Sequence, residues 1–214
     1  MKSFLSGSNE SLALKAFTNL AKALAPHVNR KAIIARSPEA RLTRRLFDAD
    51  KVVKVFLPNF AGQFYLSTQD TWEWNSRYWE QRALFTADDD LSTGLQYARH
   101  AVAIENHPFA LTTLGKLLLR RMESAPMERD AAFNEAFQKL SRAIDDEEER
   151  ARITVHPFLT VFAGTSRFLE LNGTLSAKQR AALQGYLLQA PTRFRGDPGI
   201  QATCQRLDEQ INWS

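Results

Sequence analysis

The triplet His107-Pro108-Phe109 returns as His156-Pro157-Phe158, and in each copy a glycine, Gly115 or Gly164, stands eight residues after the histidine. Four matching residues at fixed internal offsets mark a repeated unit with a period of 49 residues. That period is at the long end for helical repeats, so one copy is expected to carry a lengthened connection, and the acidic run at 145–149 is where the insertion is expected. Proline suits the first turn of a helix, where its missing N–H would be unpaired in any case. The simplest role for both histidines is then to cap or turn the chain at a helix start.

Periodicity extends this reading along the chain. Leu12, Ala16, Leu20 and Leu24 recur at helical spacing, predicting a helix over 11–25 that Pro26 ends. Ser37-Pro38-Glu39 places an N-cap hydroxyl, a first-turn proline and an early carboxylate in order, which opens a helix through Phe47. The stretch 51–65 mixes β-formers with helical spacing and is read as helix or loop. Beyond it, helices are expected at 71–87, 90–105, 108–123, 129–147, 157–171, 176–190 and 198–211, with Asp88-Asp89-Asp90 supplying one cap. Alternating strand-like runs bounded by turn residues are scarce. Fourteen Phe and four Trp demand burial, which a disordered chain cannot provide. The fold class is all-α, built from antiparallel helical hairpins.

Leu111, Leu114, Gly115 and Leu118 share the spacing of the first helix of a tetratricopeptide repeat, and Ala136, Leu140 and Ala143 that of its second. Gly94, Tyr97, Ala98, Ala101 and Ile104 resemble a second helix of the preceding unit. Thr160 and Arg167 depart from the pattern in the third unit, and Trp79 and Ala83 fit the first loosely. The resemblance implies a short tetratricopeptide-like solenoid over 71–214 that holds a partner, preceded by a basic helical region over 1–70. The segments 29–48 and 74–123 are also similar to the helical C-terminal regions of bacterial STAND or NACHT-like NTPases. That likeness implies a sensor or oligomerisation arm in signalling or antiphage defence. No phosphate-binding loop of the form G-x4-G-K-[ST] occurs, so nucleotide chemistry would belong to another domain or chain.

Charge is unevenly placed. Residues 1–60 hold eleven Lys or Arg against four Asp or Glu, a net +7, and residues 61–214 seventeen against twenty, a net −3. Arg30, Lys31, Arg36, Arg41, Arg44 and Arg45 could hold phosphate backbones, meet an acidic protein, or form a solvated face. Trp72, Trp74 and Tyr78, with Trp79, are read either as a partner-gripping surface or as rings packing the first repeat on the N-terminal region. Arg150-x5-His156 fits the permissive R-x4–6-H pattern of HEPN-like ribonucleases, although Ala151 stands where that family has a polar residue. His27, His100, His107 and His156 lack metal-ligand spacing, so no metal and no cofactor are expected. A single cysteine, Cys204, rules out an internal disulfide. With no secretory signal and no membrane-length apolar run, the expectation is a cytoplasmic chain without a membrane partner. Together these readings describe a non-enzymatic scaffold whose partner is a protein, such as an NTPase or nuclease subunit. Nucleic-acid binding through the basic region is the alternative and a HEPN-like ribonuclease the minor one.

Overall fold

Proline and short polar caps set the helix starts. A computed structural model describes residues 7–27, 58–149 and 154–211. Their helices are α1 (Gly7–Leu24), α2 (Pro58–Trp72), α3 (Ser76–Thr86), α4 (Leu91–Ile104), α5 (Pro108–Ser124), α6 (Arg129–Glu149), α7 (Val155–Glu170), α8 (Ala177–Arg193) and α9 (Pro198–Gln210). Two 3-10 turns, Ala25–His27 and Pro126–Glu128, complete the list of regular elements, and no strand occurs among the described residues. Pro58, Pro108 and Pro198 open α2, α5 and α9. Asp90 caps α4 through Thr93 N–H, and Asp197 caps α9. Ser176 and Gln179 form a reciprocal capping box at α8. The chain divides into two compact units, Met1–Glu105 and Asn106–Ser214. The 70/71 division, drawn where the regular helical pattern begins, falls within α2.

In the first unit the helix expected at 71–87 is broken. α2 ends at Trp72, and the Asn75 side chain accepts the Tyr78 N–H at 3.1 Å, capping a new helix. The aromatic spacing concealed this turn, because a Trp-rich run satisfies the helical period whether or not the backbone is continuous. α1 packs on α2 through Phe17, 4.8 Å from Phe64 between ring centres, and through Ala21, whose carbonyl accepts Trp72 Nε1–H at 3.1 Å. Leu12 and Leu20, expected on its buried face, are 66% and 51% exposed. The apolar arc of α1 is broader than the face that packs, so periodicity alone could not choose its packed side. Ala21 allows the close approach and Phe17 supplies the ring that fills it. α3 and α4 then form a hairpin, tied by the Ser76 hydroxyl to the Ala101 carbonyl at 3.0 Å. A Cβ at Gly94 would stand 2.5 Å from Ala87 Cβ, so only glycine fits there.

In the second unit α5 and α6 make the most extensive pairing. Leu111, Leu114, Leu118, Ala136, Leu140 and Ala143 are all buried. Leu140 sits over Gly115, where an added Cβ would meet Leu140 Cγ at 2.6 Å, and Leu119 sits over Gly164 of α7, where the same test gives 2.4 Å. Both repeated glycines are therefore crossing points. The acidic residues 145–149 form no lengthened connection. They continue α6 to Glu149. α7 ends in a left-handed Asn172, φ 62°, with Gly173 N–H bonded to Phe168 O and Asn172 N–H to Leu169 O, the Schellman arrangement. The third hairpin differs from expectation: α7 packs as extensively with α9 as with α6, and only slightly with its neighbour α8. Ser166 donates to Gln210 Oε1 at 2.6 Å, whereas α8 reaches α6 through Gln179 Nε2 to Asn134 Oδ1 at 2.8 Å. Phe133 and Phe168 stack at 3.8 Å within the core cluster.

The Gly115 crossing sets two effects against each other. Alanine gains about 1 kcal/mol of helix propensity over glycine, but overpacking a core costs about 1–3 kcal/mol, and fully buried Leu140 has little room to withdraw. Gly115→Ala is expected to lower unfolding free energy in urea by about 1 kcal/mol net. Combining it with Leu140→Ala should recover part of that loss. Strict additivity of the two changes would show that the residues do not meet.

Candidate functional site

Arg41, Arg44 and Arg45, with Arg30, Lys31 and Arg36, lie outside the described residues, as do the helix expected at 37–47 and Arg150. Trp72 and Tyr78 have no exposed surface, and Trp79 is 6% exposed. Their polar atoms are used internally: Trp79 Nε1 donates to Glu73 O at 2.7 Å, and Tyr78 OH to Tyr65 O at 2.6 Å. Trp74 is half-buried, stacked on Trp72 and bonded through Nε1 to Thr71 O. These positions match the packing alternative, with Trp72 joining α2 to α1.

α3 is unusual for an interior helix. Ser76, Tyr78, Trp79, Glu80, Gln81, Arg82 and Ala83 are all buried, so nearly its whole circumference is covered. Buried charge is costly unless paired or hydrogen-bonded. Glu80 is met by Arg77 Nη1 at 2.7 Å. Arg82 lies between the rings of Trp79, 5.2 Å from its centre, and Tyr97, at 4.6 Å. Its Nη1 donates to Gln69 Oε1 at 2.6 Å and to Tyr78 OH at 3.2 Å. Desolvated cation–π contacts are worth up to about 2 kcal/mol, enough to hold such a side chain in place. Composition gave little sign of this cluster, although Trp79 and Arg82 at i, i+3 put a cation one turn from a ring.

His107 is the N-cap of α5, its Nδ1 accepting Phe109 N–H at 2.9 Å. His156 differs. Its helix starts one residue earlier, at Val155, so the imidazole is an exposed first-turn side chain and not a cap. That shift puts His156 at the edge of a shallow groove of about 420 Å³ between α5 and α7. Leu119, Leu159, Ala163 and Gly164 form its apolar floor, while Lys116, Arg120 and Arg167 outnumber Glu123 on its walls. Arg167 bridges Glu123 at 3.3 Å and Glu170 at 2.9 Å, bonds that hold its charge and raise its pKa. A second groove of about 740 Å³ separates α6 from α8, with Asn134, Glu135, Lys178 and Tyr186 among its lining residues. A third, of about 1050 Å³, lies between α8 and α9, with Leu188 73% exposed and Cys204 at its base. Burial raises the Cys204 thiol to about 11.

Among the described residues no three His, Cys, Asp or Glu side chains gather as a metal site, and no helix is long and apolar enough to cross a membrane. No protein-family model, curated protein or solved structure matches the chain.

Burial pushes Tyr78 up to about 12 from 10.0. The unfolded phenol ionises first, so this residue leaves stability untouched below pH 10 and withdraws it progressively between about pH 10 and 12. At 1.36 kcal/mol per pKa unit the loss approaches about 2–3 kcal/mol. Tyr78→Phe should remove this part of the alkaline decline in denaturant titrations, and an unchanged slope over that window would assign the decline to other groups.

Proposed function

We propose that this chain is a non-enzymatic interaction scaffold, a tetratricopeptide-like stack that holds a protein partner in the groove between α5 and α7. The observation that supports it most is the pair of glycine crossings. Gly115 and Gly164 draw α5, α6 and α7 together through the same side-chain geometry, and the resulting cleft has an apolar floor with cationic walls. Such a surface suits a segment with an apolar anchor and flanking carboxylates, since complementary charge directs encounter and fixes register. The looser resemblance to STAND or NACHT-like C-terminal regions extends the reading to a sensor arm in a bacterial signalling or antiphage assembly, with an NTPase or nuclease subunit as the partner. Arg120→Glu combined with Arg167→Glu should reduce partner recovered with the tagged protein from its own host about tenfold, a loss of about 1.4 kcal/mol, while leaving the melting temperature near wild type. Undiminished recovery from a folded double variant would sink the groove assignment.

A second reading rests on the net +7 of residues 1–60. A basic accessory subunit would bind nucleic acid with a steep salt dependence. The triple change Arg41→Glu, Arg44→Glu and Arg45→Glu should abolish that binding, and retention of binding after it would remove this alternative.

A further inference from the structure

The first unit contains a buried cation that meets no counter-ion among the described residues. Arg82 is 8% exposed, yet no carboxylate lies within ion-pair distance of it among the described residues. Its two hydrogen bonds both leave from Nη1, to the neutral Gln69 amide oxygen and the Tyr78 hydroxyl. Tyr78 cannot serve as the anion, because its hydroxyl donates to Tyr65 O at 2.6 Å and burial keeps the phenol protonated at neutral pH. Asp70 is near enough for its charge to be felt at Tyr78, but it is exposed and makes no ion pair with Arg82. Glu80, the buried carboxylate on the same helix, is met by Arg77.

The remaining edge of the guanidinium, Nε and Nη2, donates to no group among the described residues. Neither nitrogen is among the buried polar atoms left without a partner among the described residues. The residue as a whole keeps 8% of its surface exposed. The plane is fixed by Gln69 and Tyr78 on one side and by the faces of Trp79 and Tyr97 around it. An arginine held in this way has already lost its rotamer freedom and presents two parallel N–H donors at the spacing of two oxygens on one carbon or phosphorus. Stability alone does not require a guanidinium here, since an apolar side chain of similar volume would fill the space between two rings without a desolvation cost.

We infer that Arg82 is the recognition group of an anion site, binding a carboxylate or phosphate through its Nε and Nη2 edge, with Trp79 and Tyr97 as the walls. The site lies wholly in the first unit and stands apart from the proposed groove between α5 and α7. Titration of the intact protein, with the Arg82 Nε–H resonance assigned through bonds by NMR, tests it directly. Inorganic phosphate and acetate are added in separate arms against sodium chloride of equal ionic strength. A saturable shift of the Arg82 resonance in either arm, absent from the chloride arm and from the other arginine Nε–H signals, is the expected result. A shift in the phosphate arm alone identifies a phosphate-bearing ligand, and a shift in both identifies an oxyanion site that also takes carboxylates. Arg82→Lys, which keeps the charge but loses the fork, should lose the anion-dependent rise in melting temperature. If neither anion moves the wild-type resonance beyond chloride, the inference is wrong, whether or not the lysine variant folds.

Discussion

The spacing between helices in the second unit is set by what stands at two crossing points. α5 receives Leu140 at Gly115 and, one turn later, sends Leu119 into the space at Gly164. One helix thus acts as socket for α6 and as plug for α7. Interaxial distance follows the smallest side chain at a contact, so these two glycines govern how near the three helices come. The stacking of Phe133 on Phe168 across α6 and α7 depends on that nearness. So does the depth of the cleft that exposes Arg120, His156 and Arg167 on facing walls.

The first unit is joined differently. Its helices are cross-linked by side chains reaching backbone carbonyls: Trp72 to Ala21, Tyr78 to Tyr65 and Ser76 to Ala101. Each such bond contributes only about 1 kcal/mol net, yet removing one partner strands a buried acceptor at greater cost. Polar pairing of this kind makes α3 intolerant of small shifts, because every displacement breaks bonds in more than one direction. An interior helix carrying Glu80, Gln81 and Arg82 depends on that network to hold its place.

Much of the helical order was legible beforehand because its cues are local. Pro108, Asp90 and Ser176 mark starts whatever the tertiary context. The two helix crossings were legible as well, since Gly115 and Gly164 at one offset reflect a packing demand that few other residues meet. What escaped had non-local causes. The side of α1 that packs was decided by Phe64 and Trp72, more than forty residues away. The break at Asn75 was masked by the aromatic run around it. The preference of α7 for α9 over α8 left no periodic trace, because amphipathic spacing shows which face is buried and not which helix covers it. For the candidate sites, the cationic cleft and Arg82 were missed for one reason: each is assembled from residues unremarkable in their own segments.

Cys204 offers a consequence of another kind. It is the single cysteine of the chain, it is 6% exposed, and its thiol is pushed to about 11. Near neutrality almost none of it is thiolate, the form that reacts with alkylating reagents. Modification then has to await a fluctuation that lifts α9 from its neighbours and returns the sulfur to water. The rate at which this one atom is labelled is thus a built-in clock for local opening at the C-terminal helix, timed without adding any probe to the fold.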